Sequence, residues 1–269
     1  MSSKHRGIYA STEGGGVQLA AGNDRWQLHD DYVHLAPDAR GPLVRFEAEL
    51  KPFVDSTQRG ALVIIDMQND FCSPGGWTDS SGLDFKRCRE AIPGVKRAIE
   101  AARKHGMWVV WVYWHNRPDL RNLGAPTLYA FKHETEQAGI GENLANGPVL
   151  TRGSWGASMV DELKPLMDED DVYIEKVRMS GFYGTHLDQV LRTQGINTLF
   201  FSGVNIDQCV STTMEDACFR DYNAVLLKDA CATSSPDYCR QAIEFNAKNC
   251  WGFAMTTADF ANPRPHRAD

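Results

Sequence analysis

The sequence predicts an α/β protein of three layers, with helices on both faces of a mostly parallel, Rossmann-like central sheet. Short apolar runs, typical of strands buried on both faces, recur along the chain. Segments with helical spacing of their apolar residues separate these runs. This alternation is typical of βαβ units, whose crossovers cover the sheet with helices. The 269 residues allow one large domain or two small ones.

The first predicted elements follow residue 55. Residues 61–66 (ALVIID) form an apolar run that ends in an acid and predict a buried strand. Apolar residues at helical spacing predict a helix over 87–105, with Gly106 as its cap. The run at 107–114 (MWVVWVYW) predicts the next strand.

The later elements are shorter. Strands are predicted at 172–175, 199–201, 224–227 and 251–255, and helices at 186–193, from Cys209 onward and at 236–248. Between the two groups, residues 127–155 show little periodicity and several glycines. A long irregular segment inside a compact domain is usually functional, so Ser154 and Trp155 are expected near a substrate, with surface packing as the alternative.

Composition narrows the class of protein. Hydrophobic residues make up 42% and charged residues 23%, which is ordinary for a soluble globular protein. The net charge of −7 argues against nucleic-acid binding, and no apolar run approaches the roughly 20 residues of a membrane span. Seven scattered cysteines without a C-x-x-C pair favour reduced thiols over disulfides or structural zinc. A cytoplasmic location is expected, since the N-terminus has no apolar signal core.

The chain divides into an N-terminal extension at 1–55, expected to be a partly ordered arm, and a main domain at 56–269. Trp26, Tyr32 and Phe46 indicate that the arm packs on something. Packing on its own domain and clasping of a neighbouring subunit are both open at this point.

Three residues are predicted to meet at one edge of the sheet. Asp66, Lys176 and Cys209 each follow the carboxyl end of a predicted strand, which is where open α/β sheets bind ligands. Cys209 should also begin a helix, whose free N–H groups lower the pKa of a thiol. Taken singly, the three could be a loop acid, a surface lysine and a buried apolar cysteine.

Together these residues suit acyl transfer. Cys209 is the candidate nucleophile, Asp66 the proton carrier, and Lys176 the cation that keeps the carboxylate ionised. The backbone N–H groups of Cys209 and Asn205 are candidates for the oxyanion hole. Cys72, close to Asp66 in sequence, is an alternative nucleophile.

The motifs ALVIIDMQNDF, YIEKVRMSGF and SGVNIDQCVSTTMEDA resemble those of the isochorismatase-like cysteine hydrolase family, over about residues 60–257. The resemblance implies an Asp66, Lys176 and Cys209 triad in a hydrolase domain at 56–269. It also implies a cis peptide between Val204 and Asn205, with the Asn205 and Cys209 N–H groups forming the oxyanion hole.

Within the family, RGSWGASMVDEL and KVRMSGFYGTHLDQVL look like ureidoacrylate amidohydrolases, and HNRPDL and LTRG look like biuret hydrolases. The resemblance implies a cysteine-dependent amidohydrolase that cleaves a C–N bond of a small ureido or carbamoyl amide (biuret, triuret or ureidoacrylate type) through a thioester. The alternatives are another small amide, such as an N-carbamoyl amino acid or a nicotinamide-like compound, and a non-catalytic binding module.

No cofactor is expected, and the resemblance implies a homodimer or homotetramer. A metal is not expected, because WVYWHNRPD holds one histidine and no matching acid. Five residues are expected to contact the substrate, with packing or surface ion pairs as the alternative: Asn69, Phe71, Arg178, Phe182 and Tyr183.

Overall fold

The computed structural model describes residues 9–12, 15–20, 25–39 and 41–266. Its strands are β1 (Tyr9–Ser11), β2 (Val17–Leu19), β3 (Trp26–Leu28), β4 (Val33–His34), β5 (Leu43–Phe46), β6 (Phe53–Asp55), β7 (Gly60–Ile65), β8 (Trp108–Trp114), β9 (Asn143–Leu144), β10 (Gly147–Pro148), β11 (Val172–Lys176), β12 (Thr198–Val204), β13 (Asn223–Ala232), β14 (Gly252–Met255) and β15 (Arg264–His266). Its α-helices are α1 (Asn69–Cys72), α2 (Trp77–Ser80), α3 (Phe85–Arg89), α4 (Ala91–Lys104), α5 (Ala125–Tyr129), α6 (Leu187–Thr193), α7 (Ser211–Cys218), α8 (Asp237–Asn246) and α9 (Thr257–Ala261).

The central sheet has six strands in the order β11-β8-β7-β12-β13-β14, and every neighbouring pair is parallel. Its middle strands, β7 and β12, are buried along their whole length, as expected of strands covered on both faces. Helix α4 packs across β7, β8, β12 and β13. The predicted α/β fold with a parallel sheet flanked by helices is confirmed.

Most predicted elements lie within a few residues of the observed ones, with one division. The helix expected over 87–105 is two helices, α3 and α4, joined at Glu90. Helix α8 ends at Asn246, earlier than expected, and a π-helical turn Ala247–Trp251 follows before β14. The segment 127–155 includes the end of α5 and the short β9–β10 hairpin.

The N-terminal arm builds a second sheet with the end of the chain. Its seven strands run in the order β1-β2-β3-β4-β6-β5-β15, so β15 pairs antiparallel with β5. Residues 1–8 of the predicted arm lie outside the described residues. The boundary between an arm at 1–55 and a domain at 56–269 stays a prediction.

The described part of the arm packs on its own chain. Phe46 is buried, with its ring centroid 5.5 Å from that of Phe200 in β12. Trp26 Nε1 donates to Asn223 Oδ1 at 3.0 Å, at the start of β13. Tyr32 stacks on His29 with ring centroids 4.4 Å apart, and its ring also lies 5.2 Å from that of His266 in β15. Self-packing therefore accounts for all three aromatic residues that the sequence analysis singled out.

No helix within the described residues is long and apolar enough to cross a membrane.

Candidate active site

Three predicted side chains meet at the carboxyl edge of the central sheet. Lys176 Nζ lies 2.8 Å from Asp66 Oδ2 and 3.3 Å from Cys209 Sγ. The negative charge of Asp66 also acts on the Cys209 sulfur, where it raises the pKa of the thiol. The side chains of Lys176 and Asp66 are 0% and 1% exposed, so this ion pair is dry. Sequence reasoning brought the three residues to one edge, and the structure places Lys176 in contact with both Asp66 and Cys209.

The strands fix two of these residues. Asp66 follows β7 directly with a φ of +52°, a left-handed backbone that is uncommon outside glycine. Its N–H donates to Val112 O at 2.8 Å, which ties it to the neighbouring strand. Lys176 is the last residue of β11, in register with Trp114 at the end of β8. Both functional groups therefore leave the sheet at one level.

A close approach of two strands precedes the cysteine loop. Gly203 in β12 has a φ of +111°, and a Cβ at this position would lie 2.1 Å from Ile65 O. Only glycine fits both the backbone angle and the distance. This contact lets β12 run beside the end of β7, so that the following loop begins next to Asp66.

Cys209 lies in a π-helical turn, Ile206–Val210, and helix α7 begins two residues after it at Ser211. The N–H of Val210 donates to Asn205 O at 3.2 Å, the five-residue spacing of a π turn. The expectation that a regular helix begins at Cys209 is wrong in this detail. Its side chain is turned inward and buried against Asp66 and Lys176.

The Lys176 ammonium has contacts on several sides. It donates to Arg178 O at 3.2 Å and to Cys209 Sγ at 3.3 Å, and its Nζ lies 2.8 Å from Asp66 Oδ2 as an ion pair. The Trp114 ring completes its surroundings, with the centroid 4.2 Å from Nζ. A buried ammonium with three acceptors and an aromatic face is held in one position.

The expected lowering of the Cys209 pKa is wrong. Burial raises the thiol pKa to about 12, and the negative charge of Asp66 adds to this, whereas Lys176 opposes it. Burial also raises the pKa of Asp66 above 3.8, with Lys176 opposing that effect. Desolvation outweighs the lysine at the sulfur, and this favours a neutral Cys209 thiol beside Asp66.

The loop before Cys209 carries the cis peptide that the resemblance implied, between Val204 and Asn205. The Asn205 side chain is anchored: its Oδ1 accepts from Cys88 Sγ at 3.3 Å and from the Ser234 N–H at 3.2 Å. These contacts fix the loop that precedes Cys209. The oxyanion-hole role of the Asn205 and Cys209 N–H groups stays a prediction.

A cavity of about 670 Å³ opens beside the cysteine loop. Met179, whose sulfur lies 3.6 Å from Cys209 Sγ, lines the cavity together with Asn205 and Gln208. The rest of the wall comes from three stretches of chain: Trp77, Ser80, Ser81 and Leu83; Ala130, Phe131, His133, Glu134, Glu136 and Gln137; and Ser234, Ser235 and Pro236. The irregular segment 127–155 thus contributes its first half to this wall.

The five expected substrate contacts do not line this cavity among the described residues. Asn69 is buried and holds the loop above it, with Nδ2 donating to Trp155 O at 2.9 Å. The Phe71 ring packs edge-on against Trp77. The Phe182 ring lies 5.7 Å from the Tyr222 ring. All three side chains therefore have packing or anchoring roles.

The other two expected contacts lie nearer the surface. Arg178 donates to Val177 O at 2.6 Å and to Asn122 O at 3.1 Å, so its guanidinium is committed to backbone carbonyls. Tyr183 is 64% exposed. Substrate contact by these five residues stays a prediction, and their observed contacts favour the structural alternative.

Three further expectations concern neighbouring residues. Ser154 and Trp155 are absent from the described lining of the cavity. Burial raises the pKa of Cys72 far above 9.0, and its fully buried thiol is a poor second nucleophile. His115 faces Glu175 Oε1 at 3.0 Å and Ala157 O at 3.2 Å. In the described ranges, no three His, Cys, Asp or Glu side chains group around a possible metal position.

Sequence reasoning missed Trp114 and Met179. Trp114 is the residue in register with Lys176, and that register follows from the neighbouring parallel strands, so the signal was available. Met179 reaches the thiol from the irregular stretch after β11, which no periodicity marks.

Comparisons with known proteins agree with this geometry. The isochorismatase domain family matches residues 60–259. The chain is 33% identical to ureidoacrylate amidohydrolase RutB of Enterobacter sp. (strain 638) over 208 residues, 76% of this chain and 89% of the relative. It is 34% identical to ureidoacrylate amidohydrolase RutB of Caulobacter segnis over 222 residues, 81% of this chain and 90% of the relative.

A solved structure shows the same fold. The crystal structure of a cysteine hydrolase from Pseudomonas syringae pv. phaseolicola 1448A superposes with a TM-score of 0.64 at 24% identity, covering 83% of this chain and 97% of that one. Since the family match and both relatives span most of its length, this chain belongs to the isochorismatase family of cysteine hydrolases and is an isochorismatase-like amidohydrolase acting on C–N bonds.

Proposed function

We propose that this protein hydrolyses a C–N bond of a small ureido or carbamoyl amide, of the biuret, triuret or ureidoacrylate type, through a covalent intermediate on Cys209. The observation that carries the proposal is the buried contact set of Lys176, with Asp66 at 2.8 Å and the Cys209 sulfur at 3.3 Å. A nucleophile, a proton carrier and a fixed cation therefore lie together in a buried position beside a cavity.

In the first half-reaction, Asp66 takes the proton of the Cys209 thiol as the sulfur attacks the substrate carbonyl carbon. The proton transfer and the attack are coupled, because a thiol with a pKa of about 12 is not ionised beforehand. The carbonyl π electrons move to oxygen. The N–H groups of Asn205 and Cys209 donate hydrogen bonds to the oxyanion that forms. Protonated Asp66 then gives its proton to the departing nitrogen, and ammonia or an amine leaves.

The intermediate is a thioester, or a thiocarbamate where the carbonyl belongs to a ureido group. Asp66, now ionised again, takes a proton from a water molecule that attacks this carbonyl. The second tetrahedral species collapses, the C–S bond breaks, and the sulfur recovers its proton from Asp66. The cycle therefore returns a neutral Cys209 thiol and an ionised Asp66.

Lys176 serves both half-reactions. Its positive charge opposes the burial that raises the Asp66 pKa, so the carboxylate remains able to accept a proton. The same ammonium contacts the sulfur and stabilises the negative charge that develops there. A positive charge fixed before the reaction needs no reorganisation when the charge appears.

The cavity suits a small substrate rich in N–H and C=O groups. Its described lining carries hydroxyl, amide and carboxylate groups, including Gln137, Gln208, Glu134 and Glu136. It contains no Lys or Arg among those residues, which favours an uncharged remote end such as that of biuret over a carboxylate. Both relatives are named as ureidoacrylate amidohydrolases, which supports the ureido class as a whole.

Ammonia release from a substrate panel tests the proposal. Biuret, triuret, ureidoacrylate and N-carbamoyl amino acids are compared with the wild type, Cys209→Ala and the matched control Cys250→Ala, an exposed cysteine. Wild type and Cys250→Ala should turn over at least one ureido compound, and Cys209→Ala none. Equal rates for wild type and Cys209→Ala would refute the assignment of Cys209 as the nucleophile. Inactivity of the wild type on the whole panel would favour a binding module.

A homodimer or homotetramer and a cytoplasmic location belong to the same proposal. Light scattering on the purified protein measures the first, and fractionation of the source cells measures the second.

A further inference from the structure

Trp114 packs directly against one of the three groups at the site, the Lys176 ammonium. It ends β8, its side chain is fully buried, and its ring centroid lies 4.2 Å from Lys176 Nζ. Parallel pairing sets this contact, because Trp114 and Lys176 are register partners on neighbouring strands. The lysine therefore carries its charge over an aromatic face that water does not reach.

The indole N–H of Trp114 has a second relation to the site. It is buried and makes no well-aligned hydrogen bond with any described residue. Burial raises the pKa of the Cys209 thiol, and the Trp114 side chain opposes this as a hydrogen-bond donor. The geometry brings the two groups together, because Lys176 Nζ lies 4.2 Å from the Trp114 ring centroid and 3.3 Å from the Cys209 sulfur. A buried tryptophan N–H usually finds a partner, so a donor left free beside a nucleophile requires an explanation.

The surroundings of Trp114 leave it little freedom. Gln68 holds the Trp114 backbone on both sides. Its Oε1 accepts from the backbone N–H of Trp114 at 2.8 Å, and its Nε2 donates to the backbone carbonyl of Trp114 at 2.9 Å. The Phe131 ring, which also lines the cavity, packs edge-on against the indole at 5.2 Å. The indole is thus held by packing rather than by a hydrogen bond of its own.

We propose that Trp114 is a further catalytic residue: its indole N–H donates to the Cys209 sulfur as that sulfur becomes anionic, while its ring holds the Lys176 ammonium. A neutral thiol is a weak acceptor, whereas a thiolate is a strong one. The hydrogen bond therefore strengthens as charge develops, and a contact of this kind lowers a barrier without tightening substrate binding. The inference rests on the proposed role of Cys209 as nucleophile.

Alkylation of Cys209 tests the donor without any substrate. The second-order rate constant for iodoacetamide is followed at the Cys209 peptide by mass spectrometry from pH 7 to pH 10. The charged groups that face this sulfur are Asp66 after β7 and Lys176 on β11, and both remain in the variants. Trp114→Phe removes the N–H and keeps an aromatic face, whereas Trp108→Phe makes the same change at the first residue of β8, the opposite end of the strand.

Trp114→Phe should lower the rate constant about three-fold at each pH from 7 to 10. Loss of a hydrogen bond to a charged group makes the thiolate about ten-fold scarcer, and the more basic thiolate that remains is about three-fold more nucleophilic. Trp108→Phe should leave the rate constant unchanged. In turnover, Trp114→Phe should lower kcat about ten-fold and leave KM unchanged.

A wild-type rate constant for Trp114→Phe, or an equal fall in Trp108→Phe, would overturn the proposal. Should the phenylalanine variant not fold, the Trp114 indole proton resonance is compared between wild type and Cys209→Ala, and an unchanged resonance would overturn it as well. Absence of turnover on every ureido substrate would remove the proposed function, yet leave the alkylation result standing.

Discussion

Lys176→Met is the perturbation that most directly separates structure from chemistry at this site. At an effective dielectric of about 20, charges 2.8 Å apart attract by about 6 kcal/mol. Methionine fills similar space without a charge, so the Asp66 carboxylate is left buried and unpaired. Removing one partner of a buried pair costs about 3–5 kcal/mol of unfolding free energy. The loss of an ionised base should lower kcat/KM by roughly 10²–10⁴-fold.

The loss of stability should depend on pH, with a definite sign. The pKa of Asp66 already lies above 3.8 in the folded protein, and removing Lys176 raises it further. The folded state then binds this proton more tightly than the unfolded state does. The variant keeps its stability at pH values below the pKa of Asp66 in the unfolded state. That stability falls as the pH rises through the pKa of Asp66 in the folded state. The destabilisation by Lys176→Met should therefore be larger at pH 8 than at pH 5.

Urea denaturation at the two pH values measures this difference, and ammonia release measures the activity. Lys248→Met is the matched control: Lys248 Nζ lies 2.7 Å from Glu49 Oε2, but its side chain is 28% exposed. That change should cost at most about 1 kcal/mol. The cost in unfolding free energy should be nearly equal at pH 5 and pH 8. Lys228 and Lys248 lower the pKa of Glu49 below 4.5, so this carboxylate is ionised at both pH values. Equal destabilisation by Lys176→Met at both pH values would refute the reasoning.

Three further predictions follow from the same geometry. The kcat/KM should rise with pH as Asp66 ionises and stay level through pH 9, since the Cys209 pKa is about 12; a second rise near pH 8–9 would contradict coupled proton transfer. Glu136→Lys should raise kcat/KM for an N-carbamoyl amino acid relative to biuret by about five-fold, and an unchanged ratio would remove the charge argument. Phe46→Ala should destabilise the protein by about 3–5 kcal/mol in urea denaturation, against less than about 0.5 kcal/mol for the exposed Leu50→Ala; similar values for both would contradict packing of the arm on the core.

The fold was accessible from the sequence because the pattern of burial is strong. Strands such as β7 and β12 are apolar along their whole length, and a parallel sheet accounts for such runs. The break at Glu90 was not accessible, because the apolar spacing continues across it. The pairing of β15 with β5 joins the two ends of the chain, and no local pattern carries that information.

At the site, the sheet topology predicted where three side chains lie, but it did not predict the direction of the Cys209 pKa shift. Position near a helix start favoured a lowered Cys209 pKa, whereas burial depth, which depends on the whole fold, decides the direction. The expected substrate contacts came from resemblance and proximity in sequence. Side chains such as Asn69 and Arg178 instead bond to backbone carbonyls of segments that only the folded structure brings near.

The central claim is that a bond forms between the substrate carbonyl and the Cys209 sulfur. Rapid acid quenching during turnover of the best ureido substrate, followed by peptide mass spectrometry, tests it most directly. The account predicts an acyl or carbamoyl adduct on the Cys209 peptide that disappears when substrate is exhausted. Continued turnover with an adduct on the Cys72 peptide instead would contradict it.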